Sequence, residues 1–126
     1  MTETVCNYAI LRFMPDRVRG EFMNLGIALH APRDGWFGYR LLPDAGDRAK
    51  RVFPPLDPIA FESELEGQRR ELDRIKALER DREGLEVAFR ELVRPREGWF
   101  QFSDISTVLG PGPERSLIEA FQRRVA

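Results

Sequence analysis

The chain has one cysteine and one histidine in 126 residues. A lone thiol forms no disulfide within the chain and supplies no thiolate cluster for a metal. Nucleophilic triads and most zinc sites need one histidine plus well-placed partners, so any such site would have to be built on His30. Neither sign of charge dominates: 20 lysine and arginine residues stand against 21 aspartate and glutamate, a formal net charge of −1. A generic electrostatic nucleic-acid binder carries a basic excess or stripe, so this balance argues against one while leaving room for a local basic patch. No apolar run approaches the ~20 residues that span a bilayer. The N-terminus lacks the basic and apolar regions of a secretory signal. The expectation is a soluble, cytoplasmic protein without metal or cofactor, with Cys6 buried or half-buried at the start of a strand.

What is there centres on residues 12–31. Two apolar runs, residues 8–14 and 22–31, flank Pro15, Asp16 and Gly20, which punctuate turns. This predicts a β-hairpin with a long, polar, arginine-bearing loop. The first strand, residues 5–14, carries bulk on both faces, so it is expected at the centre of a sheet. In the second, Met23, Leu25, Ile27, Leu29 and Ala31 form a core face. Phe22, Asn24, Gly26, Ala28 and His30 form the other, small and polar in its middle. Residues 36–42 alternate as a third strand and complete a meander.

A short helical turn is expected over residues 47–53. Asp57 followed by Pro58 marks a helix start, and Phe61, Leu65, Leu72, Ile75 and Leu78 supply its apolar stripe. Gly84 is read as its break. A second helix covers residues 85–93 and stops before Pro95. Residues 99–103 read as a fourth strand and residues 106–113 as a loop. A terminal helix over residues 113–125 buries Leu117, Ile118, Phe121 and Val125. The sum is one α+β domain over residues 1–126: an antiparallel sheet of about four strands with three helices packed on one side.

The candidate binding residues are Arg12, Arg17, Arg19, Glu21, Asn24, His30, Arg94 and Arg96; none is assigned a catalytic role. Guanidinium forks match phosphate and carboxylate oxygens, so Arg17 and Arg19 on a glycine-bearing loop suit an anion. Equally, Arg19 and Glu21 can pair with each other and pin the hairpin. Asn24, if buried, needs hydrogen-bond partners, and the backbone near Arg19 or Gly20 is the nearest source. His30 reads as a half-exposed structural histidine, with acid–base work alongside Glu21 or Asp34 as the alternative. Arg94 and Arg96 can extend a basic rim with Arg17 and Arg19, and with Arg12 make one sheet end positive. Arg12 can instead pair with Asp104 or Glu97.

The order Leu11-Arg12-Phe13-Met14-Pro15-Asp16, then Arg19-Gly20-Glu21-Phe22-Met23-Asn24-Leu25-Gly26, later Phe89-Arg90-Glu91-Leu92-Val93-Arg94-Pro95-Arg96 and a terminal amphipathic helix, resembles a small bacterial family. That family is catalogued as a domain of unknown function, number three thousand and thirty-seven. The resemblance spans nearly the whole chain and implies no established activity. It implies genes that lie beside HipA-like kinases, an association and not a mechanism. The first functional expectation is therefore a non-enzymatic accessory or protein-interaction domain that engages a HipA-like kinase through the hairpin and the adjacent sheet edge. The alternatives are a small phosphoester or nucleotide-processing enzyme, with Arg17, Arg19 and Arg96 on phosphate and Glu21 or His30 as base, or a nucleic-acid binder using the same arginines.

Overall fold

The apolar run after Thr4 makes the longest strand, β1 (Thr4–Asp16), and the other elements assemble on it. A computed structural model of the chain describes residues 3–126. After β1 come β2 (Glu21–Ala31), β3 (Trp36–Leu41), α1 (Ala45–Val52), α2 (Pro58–Lys76) and α3 (Arg82–Leu92). Then follow β4 (Phe100–Phe102), β5 (Ser106–Gly110) and α4 (Pro113–Arg124). The fold is α+β with an antiparallel sheet, as expected, but the described residues carry four α-helices, not three. The strand order is β3-β2-β1, and the second edge of β1 is shared by β4 and β5.

The sharing has a simple cause. β4 pairs only with Leu11, Arg12 and Phe13, which leaves the backbone of β1 open from Thr4 to Tyr8. Buried backbone groups must be paired. Residues 106–110, expected as loop, satisfy them as β5 with a Ser-Thr-Val-Leu run compatible with a pleated surface. Between the two short strands Ser103 stands in as a partner: its N–H donates to the Ile10 carbonyl and its hydroxyl accepts from the Ile10 N–H, each at 2.8 Å.

The helices divide between the faces of the sheet. Leu72, Ile75, Leu85, Phe89 and Leu92 of α2 and α3 cover Ala28 and Phe37. On the same face Phe13 meets Phe61 of α2 edge-to-face at 5.0 Å and Phe53 at 5.5 Å. Leu117 and Phe121 of α4, with Val125 just beyond it, close the other face over Tyr8, Ile27 and Leu29. Ile118, expected inside, lies on the outer side of α4 and is exposed. The helix start at Asp57 is as expected: its carboxylate accepts from the N–H groups of Ile59 and Ala60. The break between α2 and α3 falls at residues 77–80, before Gly84. Gly84 sits inside α3, donating its N–H to the Asp81 cap at 2.9 Å. The connection from α1 to α2 is tied by Lys50, whose Nζ donates to the carbonyls of Pro54 and Leu56 at 2.6 and 2.9 Å.

One irregularity sets which residue looks which way. Leu11 pairs with Gly26, but Arg12 pairs with Asn24, so Leu25 is an extra residue on β2. Such a bulge exchanges the faces of everything beyond it. Gly26, Ala28 and His30 keep to the α3 face, whereas Asn24 and Phe22 turn to the α4 face. The expected shared face of Asn24 and His30 is corrected accordingly. A second bulge at Met14 and Pro15, where proline has no N–H to lose, lets β1 and β2 run on to Asp16 and Glu21. The expected long loop is therefore only residues 17–20.

Gly26 of β2 leaves no room for a side chain against β3. A Cβ there would overlap Leu41 Cδ2 and lie 2.7 Å from the Arg40 carbonyl oxygen. Gly26→Ala is expected to lower stability by ~1–3 kcal/mol through overpacking. Gly67, inside α2 with open space around its Cα, gives the contrast: Gly67→Ala is expected to raise stability by ~0.5–1 kcal/mol. Urea unfolding of the two variants checks the pair.

Candidate functional site

The hairpin tip is built by Asp16. Its carboxylate accepts from the N–H groups of Val18 and Arg19 at 3.0 and 3.3 Å, and its carbonyl accepts from Gly20 N–H at 3.0 Å. Gly20 closes the turn at φ 72°, a conformation glycine adopts freely. Arg17, Val18 and Arg19 are thus held out in solvent, and Val18 is 97% exposed. Arg19 Nε lies 3.3 Å from Glu21 Oε1, and both side chains are largely exposed. The internal pairing considered from sequence exists, and such an exposed pair is worth ~0–1 kcal/mol.

Below the tip, the Leu25 bulge gathers a second group on the α4 face. The Arg12 guanidinium stacks on the Phe22 ring, 4.3 Å from its centroid. Among the described residues it forms no ion pair with Asp104, Glu97 or any other acid, and its buried Nε has no partner. Asn24 Nδ2 donates to the carbonyl of Arg124 at 2.9 Å, 100 residues away in the last turn of α4. The expected partner near Arg19 and Gly20 is replaced by this one, because the bulge points Asn24 at α4. Arg124 Nη1 in turn donates to the Tyr8 hydroxyl at 3.0 Å. Phe22, Tyr8 and Arg124 were not singled out in the sequence. Phe22 alone carried a signal, a large apolar residue at a strand's polar end.

The remaining candidates lie elsewhere. His30 is buried, 2% exposed, with its ring 5.4 Å from Phe89. It borders a cavity of about 270 Å³ with Asn7, Glu86 and Arg90. Burial pushes its pKa down, with the Glu86 carboxylate opposing. Cys6 lies on the opposite face of the sheet, its thiol pushed up by burial, so the two do not form a nucleophile–base pair. Arg94 pairs with Glu91 at 3.3 Å. Arg96 forks onto Glu71 of α2 at 2.8 and 3.1 Å, and these bonds hold the Glu71 carboxyl below its ordinary range. Gln101 fastens the same loop through hydrogen bonds to the backbone N–H and carbonyl of Arg96. Arg94 and Arg96 thus hold helix carboxylates, while Arg12 and Arg17 carry the unpaired guanidinium groups of the hairpin among the described residues.

Two outcomes follow from this geometry. Asn24→Ala is expected to lower stability by ~1–2 kcal/mol, since it releases the end of α4 and leaves a carbonyl without its donor; a thermal melt reads it. For His30, the unfolded imidazole takes up a proton near its ordinary 6.5 while the folded one resists. The unfolded state then binds more protons, so stability is full above that value and falls as the pH drops below it. Between about pH 7.5 and 5.5, wild type is expected to lose more melting temperature than His30→Leu.

Comparison with curated proteins and with solved structures gives no match. A family model described as "Protein of unknown function (DUF3037)" matches residues 8–125. Every residue of the Arg-Gly-Glu-Phe-x-Asn-x-Gly block lies within that match, and the chain belongs to this family.

Proposed function

We propose that the protein is a non-enzymatic interaction domain that presents the β1–β2 hairpin to a protein partner. The observation that carries this reading is the Arg12–Phe22 stack, with Phe22 43% exposed, beneath a tip that holds Val18 in solvent between Arg17 and Arg19. Arginine and aromatic side chains are the residues that most often anchor protein interfaces. An unpaired guanidinium gains most from a carboxylate, so the partner surface is acidic. Family resemblance points to a HipA-like kinase as that partner, in the cytoplasm. The absence of a long apolar helix among the described residues fits such a setting.

One observation favours a second reading. The buried Arg12 Nε–H has no acceptor among the described residues, and a guanidinium donor suits a small anion such as phosphate, held in nucleotide-processing or nucleic-acid chemistry.

The test is co-expression with a HipA-like kinase encoded beside the gene, followed by titration of the purified pair. Arg12→Glu and Phe22→Ala are each expected to weaken binding by about tenfold or more, with melting temperatures close to wild type. A wild-type chain that does not bind the kinase, yet is stabilised by phosphate, ATP or a short RNA at low salt, would replace the interaction reading with the anion one.

A further inference from the structure

β3 is the terminal strand of the sheet on the side away from β4 and β5, and its outer edge is unpaired among the described residues. The Arg40 carbonyl faces Gly26, and the Leu42 N–H donates to the Leu25 carbonyl at 2.8 Å, so the even-numbered residues address β2. Backbone groups alternate along a strand, and those of Phe37, Tyr39 and Leu41 therefore point outward. The Phe37 carbonyl is already taken, since Lys76 Nζ donates to it at 3.2 Å. Tyr39 and Leu41 remain, and they border a cavity of about 580 Å³ between α2 and α4.

The walls of this cavity have a distinct chemistry. On the α4 side the Trp36 indole lies across Gly38, filling the space where a side chain would stand. Beside it the Arg40 guanidinium rests 5.3 Å from the Phe121 ring centroid. Arg40 is exposed and carries no ion pair among the described residues. On the α2 side Tyr39 donates its hydroxyl to Asp73 at 2.6 Å, and Arg69 lines the rim.

We infer that this edge docks an extended segment of another protein as an added strand, with an acidic residue opposite Arg40 and an apolar residue two positions away against the Trp36 indole. The backbone of Tyr39 and Leu41 supplies the hydrogen bonds, as in other cases of strand addition. Gly38 and Arg40 are then the non-hydrogen-bonded positions, where facing side chains come closest, at ~4.5 Å between α-carbons. A charge opposite Arg40 is therefore felt strongly. The same register argues against a second copy of this chain paired about Gly38, Tyr39 or Arg40. Symmetric pairing about Arg40 sets that arginine against itself. Symmetric pairing about Gly38 or Tyr39 needs the Phe37 carbonyl that Lys76 holds. This surface is separate from the hairpin, and the inference stands whether or not the hairpin binds a kinase.

Displayed random peptides of about eight residues, enough for one strand, are selected against the whole chain, and the enriched ones are synthesised. The expected winners share an acidic and an apolar residue at i and i+2. On binding they slow the hydrogen exchange of the Tyr39 and Leu41 amides. N-methylation of the peptide's backbone on the side that faces β3 weakens binding by about tenfold or more, since it removes donors without touching the protein. Selection against Arg40→Glu exchanges the acidic residue for a basic one. No enrichment, binders that leave the Tyr39 and Leu41 amides unchanged, or a mass that doubles with concentration through this edge would each overturn the inference.

Discussion

The extra residue at Leu25 is the constraint on which the molecule's surface depends. β2 has to serve two masters: beyond Gly26 it lies flat between β1 and β3, and before Leu25 it must offer its side chains to the end of α4. A regular strand keeps one set of residues on one face throughout. The bulge breaks that rule once, and in doing so places Phe22 under Arg12 and Asn24 against Arg124. Each residue of the family block then has a physical reason within the fold. Gly20 closes the turn, Glu21 meets Arg19, Phe22 carries Arg12, Asn24 holds α4, and Gly26 admits Leu41.

The residues of this block are engaged with the turn, with α4 and with β3, and they name no reaction. The charges tell a similar story. Most of the acid–base pairs are helical neighbours three or four residues apart, such as Arg90 with Glu86 and Arg115 with Glu119. Pairs of that kind solubilise a helix and contribute little to stability. Arg96 with Glu71 is different: it is half-buried, forked, and ties the loop before β4 to α2.

Local chemistry was legible in the sequence. Turn residues gave the hairpin, Asp57 and Pro58 gave the start of α2, and two-residue alternation gave β3. The readings that depended on contacts across the chain were not legible. Residues 106–110 look like a loop until β1 is seen to have an unfilled edge. Period-two reasoning assigned Asn24 and His30 to one face because a bulge has no signature in the alternation itself. Asn24 and Arg124 are 100 residues apart, and Arg96 and Glu71 are 25 apart, so neither pairing could be read from spacing. His30 looked half-exposed because a strand end usually is; the packing of α3 over it, through Phe89, buries it.

Lysine occurs at positions 50 and 76 alone, and both ammonium groups sit on main-chain carbonyls. Acylation of either lysine is therefore never mere decoration. An acyl group on Lys76 would turn a charged donor into a neutral amide and uncover the Phe37 carbonyl at the rim of the sheet. One on Lys50 would loosen the joint between α1 and α2. The hairpin, whose cations are all guanidinium groups, would be untouched by either. An acyl group placed on either lysine thus acts on the frame of the molecule and leaves its arginine-bearing surface as it was.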